Sequence, residues 1–160
     1  MDRAGQSGIL PRIRSPAPRL SVAYGRARPS ITRTLQNSPM NGYVTNIERD
    51  TLENEDYRRV LYTGKYMQLV LMTLRPGEEI GLETHEGHDQ FFRIESGTGY
   101  AQIGDERRDL EDGSIVVIPS GAQHNVVNTS ETEPLRLYTL YSPPEHPDGT
   151  VQQTKADESQ

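Results

Sequence analysis

The sequence predicts an all-β chain, a sandwich or barrel, and three observations carry that expectation. From Tyr57 onward, short β-prone runs recur every ~8–12 residues. Turn-forming Gly, Pro, Asp and Ser stand between them. No window of about eleven residues within 57–142 keeps a helical period. That excludes βαβ units and leaves a stacked or closed antiparallel architecture.

The elements follow in order. Met67–Leu74 (MQLVLMTL) reads as a strand, stopped by the turn Arg75-Pro76-Gly77-Glu78. Phe91–Ile94 begins after the polar loop Glu86-Gly87-His88-Asp89 and ends at Ser96-Gly97-Thr98-Gly99. Tyr100–Ile103 and Arg107–Leu110 flank Gly104-Asp105, a short hairpin connection. Ser114–Ile118 (SIVVI) lies between Asp112-Gly113 and Pro119-Ser120-Gly121. His124–Val127 comes next, followed by a polar turn through Glu133-Pro134 and the alternating run Leu135–Tyr141 (LRLYTLY). Ser142-Pro143-Pro144 breaks the series. A β region of ~90–100 residues can bury a modest core. The polar tail, 145–160, is expected to lie over the surface or fray.

The first forty residues differ in kind. They carry seven Arg, no Lys and one acid, Asp2, a charge of +6 against −12 for the rest, within a net −6. Five of the eleven prolines lie there: Pro11, Pro16, Pro18, Pro29 and Pro39. Prolines at that density interrupt any long helix or central strand. No apolar run there exceeds three residues, too short for a secretory signal. Arg and Ser content resembles a transit peptide, but the prolines leave little room for its helix. A nucleic-acid arm would have only Tyr24 to stack on a base. The segment reads as a disordered basic leader, 1–40, or as sequence upstream of a native start at Met40, with the barrel domain at 41–144 and the tail at 145–160.

Other function classes are excluded by composition and motif. Cysteine is absent, which removes disulfides, thiolate metal sites and a cysteine nucleophile, and suits a cytoplasmic location. No run approaches 18 apolar residues, so no membrane helix is expected. No Walker loop, dinucleotide fingerprint or serine elbow occurs. Neither nucleic acid nor membrane is an expected partner.

Two stretches carry chemistry. Gly113, Pro119, Gly121, His124 and Asn128 match every fixed position of G-x5-P-x-G-x2-H-x3-N, the second motif of the cupin superfamily. The first motif, G-x5-H-x-H-x4-E-x6-G, is met by Gly77, His85 and Gly97, with Glu83 at the first histidine position and Gln90 at the glutamate position. Over roughly 60–142 the chain therefore resembles a small single-domain (type-2) cupin. The resemblance implies a double-stranded β-helix, the jelly-roll barrel, and a divalent transition metal held by Glu83, His85, Gln90 and His124. The usual ligand set is three imidazoles and one carboxylate; here two imidazoles, one carboxylate and one amide keep the same formal charge. Glu83 and His85, two apart, share a face if extended. Ligands of this hardness suit Mn, Fe, Co, Ni or Zn, and two His with one carboxylate resembles the facial arrangement of non-haem Fe(II) oxygenases.

The remaining candidates have plainer readings. His88 is a second-choice ligand, but its place beside Gly87 in an acidic loop suits a surface histidine. His146 reads as structural, and Glu78 and Glu79 as turn and rim charges. Tyr100, Tyr138 and Phe92 could line a pocket but suit plain core. Similar single-domain cupins are labelled mannose-6-phosphate-isomerase-like, so the resemblance implies a metal-dependent isomerase acting on a small-molecule substrate. A dioxygenase and a non-catalytic binding module are the alternatives. Cupin barrels commonly pair through edge strands, which implies a homodimer.

Overall fold

The structure is a computed structural model that describes residues 42–159. The basic leader, 1–40, lies outside the described residues. One α-helix is followed by nine strands and a final 3-10 helix. The strands are β1 (Arg58–Thr63), β2 (Gln68–Leu74), β3 (Asp89–Ser96), β4 (Gly99–Ile103), β5 (Glu106–Leu110), β6 (Ile115–Ile118), β7 (His124–Asn128), β8 (Leu135–Ser142) and β9 (Val151–Gln152). They form two antiparallel sheets, one in the order β6-β3-β8-β2-β1-β9 and one in the order β5-β4-β7. This is the expected all-β jelly roll.

Period-two alternation decides which side chains face inward. On β3 these are Gln90, Phe92 and Ile94; on β8 they are Leu135, Leu137, Thr139 and Tyr141. β2 is buried along most of its length, as an interior strand covered on both faces should be. The core joins Val70, Met72, Leu74, Phe92, Ile94, Val126, Leu135, Leu137 and Tyr141. Phe92, with 0% of its surface exposed, stands for the burial that drives the fold; truncating such a ring costs ~3–5 kcal/mol.

Turn chemistry sets the ends of the site-bearing strands. Pro119-Ser120-Gly121-Ala122 closes with the Ala122 N–H on the Pro119 carbonyl at 3.1 Å. Gly121 has φ +80°, a conformation strained for any residue with a Cβ. This turn reverses the chain from β6 into β7 and delivers His124 as the first residue of that strand.

Three features differ from the sequence expectation. The helix α1 (Ile47–Glu53) stands ahead of the strands, with Asn46 Oδ1 accepting from Arg49 N–H at 3.0 Å and acidic residues in the first turn. It packs against β3 and β8. Strand β1 adds to the expected runs, its polar start, Arg58-Arg59, masking the apolar stretch that follows. The tail does not fray. Residues 151–152 pair with β1, and the 3-10 helix Lys155–Ser159 runs back to it, with Glu158 2.6 Å from Arg58 Nη2. A buried arginine supplies the anchor that composition could not disclose.

Candidate metal centre

The site assembles from both sheets. Glu83 and His85 lie on the segment that follows β2, and this segment is extended but is not a full strand. It is tied to β7 by bridges at Glu79 with Val127 and Glu83 with His124. The Glu83 and His124 amides each donate to the other's carbonyl at 2.9 Å. Between the bridges, Gly81 donates its N–H to Asn125 Oδ1 at 2.9 Å, which explains why pairing is discontinuous. The expected common face nonetheless holds: Glu83 Oε2 lies 3.1 Å from His85 Nε2. Gln90 comes from β3 in the larger sheet, and its Oε1 lies 3.0 Å from His124 Nε2.

The donor atoms of Glu83, His85 and His124 all fall within 4.8 Å of one another. Two ligands at ~2.1 Å from one ion can stand up to ~4.2 Å apart, so small side-chain adjustments suffice to close on a cation. The chemistry of the set fits a divalent transition metal. Each imidazole turns Nε2 inward; His124 has its other nitrogen hydrogen-bonded from behind, the usual preparation of a metal-binding histidine, and that of His85 faces a carboxylate. His124 Nδ1 donates to the Ala122 carbonyl at 3.0 Å. That fixes the Nδ1–H tautomer and leaves the Nε2 lone pair facing the centre. Burial lowers the His124 pKa, against the raising effects of the Ala122 carbonyl and Glu83, and this favours the neutral imidazole a metal requires.

Gln90 is 2% exposed and its Nε2 donates to Thr139 Oγ1 at 3.2 Å. The Thr139 hydroxyl can donate or accept, so Gln90 can present either end of its amide to His124. Oε1 suits a cation held on the imidazoles; the NH2 suits a bare lone pair. Phe92 and Tyr141 wall the centre, with ring centroids 6.1 Å from His124 and 5.8 Å from His85 respectively. Tyr141 is buried, which raises its phenol pKa and keeps the hydroxyl protonated. Tyr138 packs near Phe91 and Tyr100 lies under Arg107, so these two aromatics belong elsewhere.

Glu145, placed by sequence in the tail, reaches the site. Its Oε1 stands 3.5 Å from His85 Nδ1, an electrostatic contact, and its Oε2 stands 3.0 Å from His88 Nε2. His88 is thus linked to His85 through a carboxylate and is not part of the ligand cluster. Glu78 Oε2 accepts from Arg75 N–H in the turn and Glu79 Oε2 accepts from Asn125 Nδ2, so both keep structural work. No local signal marks Glu145, which follows two prolines in a polar stretch.

His146 completes this wall, its ring 5.0 Å from that of Tyr141 and perpendicular to it. Burial, with Arg58 and His85 adding to it, pushes its pKa from the ordinary 6.5 to about 4. The unfolded chain therefore takes up this proton first. Its contribution to stability is complete above the unfolded value of 6.5 and drains as pH falls towards about 4. His124 acts in the same direction. Melting in chelator is expected to weaken steadily between pH 7 and pH 5, with a shallower slope in His146→Phe, which keeps the ring contact and removes the proton site. Parallel slopes would exclude this contribution.

The family model for the cupin domain matches residues 70–141. The Bacillus subtilis (strain 168) protein YrkC is 49% identical over 121 residues, covering 72% of this chain and 64% of its own length. The chain thus spans less than two thirds of that relative. A protein of Acanthamoeba polyphaga mimivirus is 46% identical over 112 residues, covering 68% of this chain and 70% of its own. The crystal structure of BH2720 from Bacillus halodurans superposes with a TM-score of 0.73 at 43% identity, covering 75% of this chain and 95% of that one. Fold, motif spacing and relatives agree: the chain belongs to the cupin superfamily.

Proposed function

We propose that this cupin is a metal-dependent small-molecule enzyme of the oxygenase type, with Glu83, His85 and His124 as ligands and Gln90 as an auxiliary neutral donor. The observation that carries the reading is the convergence of two anchored Nε2 atoms and one carboxylate within 4.8 Å. Two imidazoles and one carboxylate leave coordination positions open, the arrangement in which Fe(II) binds and activates dioxygen. The protein's own part is to orient and exclude. Ala122 and Glu145 hold the imidazoles from behind, Phe92 and Tyr141 keep water from the centre, and Glu83 supplies the negative charge.

Local charge argues against the sugar-phosphate isomerase alternative. Such a reaction needs cations for the phosphate. Arg58 is engaged by Glu158 and Gln152, and the Lys155 ammonium by the Glu79 carbonyl. A phosphate dianion would also meet Glu83 and Glu145. The test is metal analysis of the purified chain, then reloading with Mn, Fe, Co, Ni or Zn and screening substrates with an oxygen electrode. Oxygen uptake confined to the iron form is expected. Interconversion of hexose phosphates without oxygen would replace this reading by the isomerase, and tight ligand binding without turnover in every metal form would replace it by a binding module.

A further inference from the structure

The metal site makes no use of the most deeply buried cation that the fold places in the barrel. Arg58 lies on the inward face of β1, its side chain only 4% exposed. Its Nη1 donates to Gln152 Oε1 at 2.7 Å, and its Nη2 lies 2.6 Å from Glu158 Oε1. Its Nε, also buried, has no hydrogen-bond partner among the described residues. Nε and Nη2 form one edge of the guanidinium, the fork that takes a carboxylate through two parallel bonds. Glu158 uses one prong of that fork and leaves the other empty. An unsatisfied buried donor is costly, so the site is better suited to a differently placed carboxylate than to the one it holds.

The present occupant is held by charge and not by apolar packing. Glu158 is 25% exposed and sits on the five-residue helix Lys155–Ser159, which contributes nothing to the hydrophobic core. Besides the Arg58 pair, polar contacts anchor that segment: Gln152 Nε2 on the Asp157 carbonyl, Asp157 N–H on the Thr154 carbonyl, Thr154 N–H on Asp157 Oδ2, and the Lys155 ammonium on the Glu79 carbonyl. Segments with few apolar contacts open at low cost. Tyr57 lies at the same spot, its ring 5.3 Å from the Arg58 guanidinium and its hydroxyl donating to the Ile80 carbonyl at 3.3 Å. Arg58 pairs across the sheet with Met72, Met72 with Leu137 and Leu137 with Ile94, and Ile94 shares the inward face of β3 with Gln90, so the arginine and the metal site face one interior.

We propose that Arg58 is the recognition site for the carboxylate of a small-molecule ligand, and that Glu158 is a built-in occupant displaced when that ligand binds. Exchange of one carboxylate for another leaves the local charge unchanged. A phosphate dianion would add charge beside Glu83 and Glu145, so the site selects monocarboxylates.

The experiment uses the full chain with its metal removed by chelator, so its outcome is independent of the metal assignment. Pyruvate, its neutral amide and inorganic phosphate are titrated calorimetrically into the parent and Glu158→Gln, a change outside the hydrophobic core. Glu158→Gln is expected to bind pyruvate at least tenfold more tightly than the parent, with the amide and phosphate at least tenfold weaker than pyruvate. Pyruvate should also accelerate amide hydrogen exchange over 155–158 in the parent. The double change Arg58→Gln with Glu158→Gln, which removes both charges together, should abolish binding. Equal pyruvate affinity in parent and Glu158→Gln, or amide or phosphate bound as tightly as pyruvate, would overturn the proposal.

Discussion

His124→Ala is expected to abolish metal binding, with a loss well beyond the ~10–100-fold that removal of an outer partner costs. His124 is the residue on which the centre turns. It is 1% exposed, its Nδ1 is committed to the Ala122 carbonyl, and its Nε2 faces Gln90. Truncation removes a ligand and opens a cavity against Phe92. The rest of the series follows from charge. Glu83→Gln removes the one anionic ligand of the set and should weaken binding by about 100-fold or more, since a dication in a poorly solvated barrel depends on that carboxylate. Gln90→Glu adds a second carboxylate and should tighten hard divalent ions. Glu145→Gln should cost ~10–100-fold, the effect of loosening an imidazole from behind. Competition against a chromophoric chelator reads all four. A Glu83→Gln variant that binds as well as the parent would refute the assignment and leave His85 and His124 with another partner, His88 being the first to examine.

Asn128→Ala should be the most destabilising polar substitution in the second motif, and it should act on folding, not on metal. Asn128 is 1% exposed. Its Nδ2 serves the carbonyls of Leu74 and Arg75 at 3.0 Å and of Glu133 at 2.9 Å, while its Oδ1 accepts from Ser130 N–H at 2.9 Å. One side chain thus ties the end of β2 to the turn that leads into β8. Alanine leaves several buried backbone groups unpaired at ~1–3 kcal/mol each, and a total of ~3–5 kcal/mol follows. In a domain of this size that lowers the melting midpoint by about 10 °C or more. Thermal melts with chelator present check it; a shift of only a degree or two would mean water replaces the amide. The motif therefore mixes positions: His124 faces the proposed metal centre, whereas Asn128, like Gly121 in its turn, holds the frame that presents it.

What the sequence determined by itself was local. Alternation along Leu135–Tyr141 named the inward side chains of β8, and the prolines and glycines at 75–77, 112–113 and 119–121 placed the turns. Fixed offsets then singled out Glu83, His85, Gln90 and His124, which the fold does bring together. Such signals survive in sequence because each lies within a few residues of the structure it dictates. Tertiary structure decided the rest. Glu145 reaches His85 and His88 across about sixty residues of chain, Gln152 and Glu158 meet Arg58 about a hundred residues later, and a tail whose apolar residues are Val151 and Ala156 alone is added to the sheet. These are contacts between polar and charged groups, made across strands that become neighbours only when the sheet forms. A carboxylate in a polar tail looks the same in sequence whether it faces water or a buried guanidinium, and only the fold supplies the partner that tells them apart.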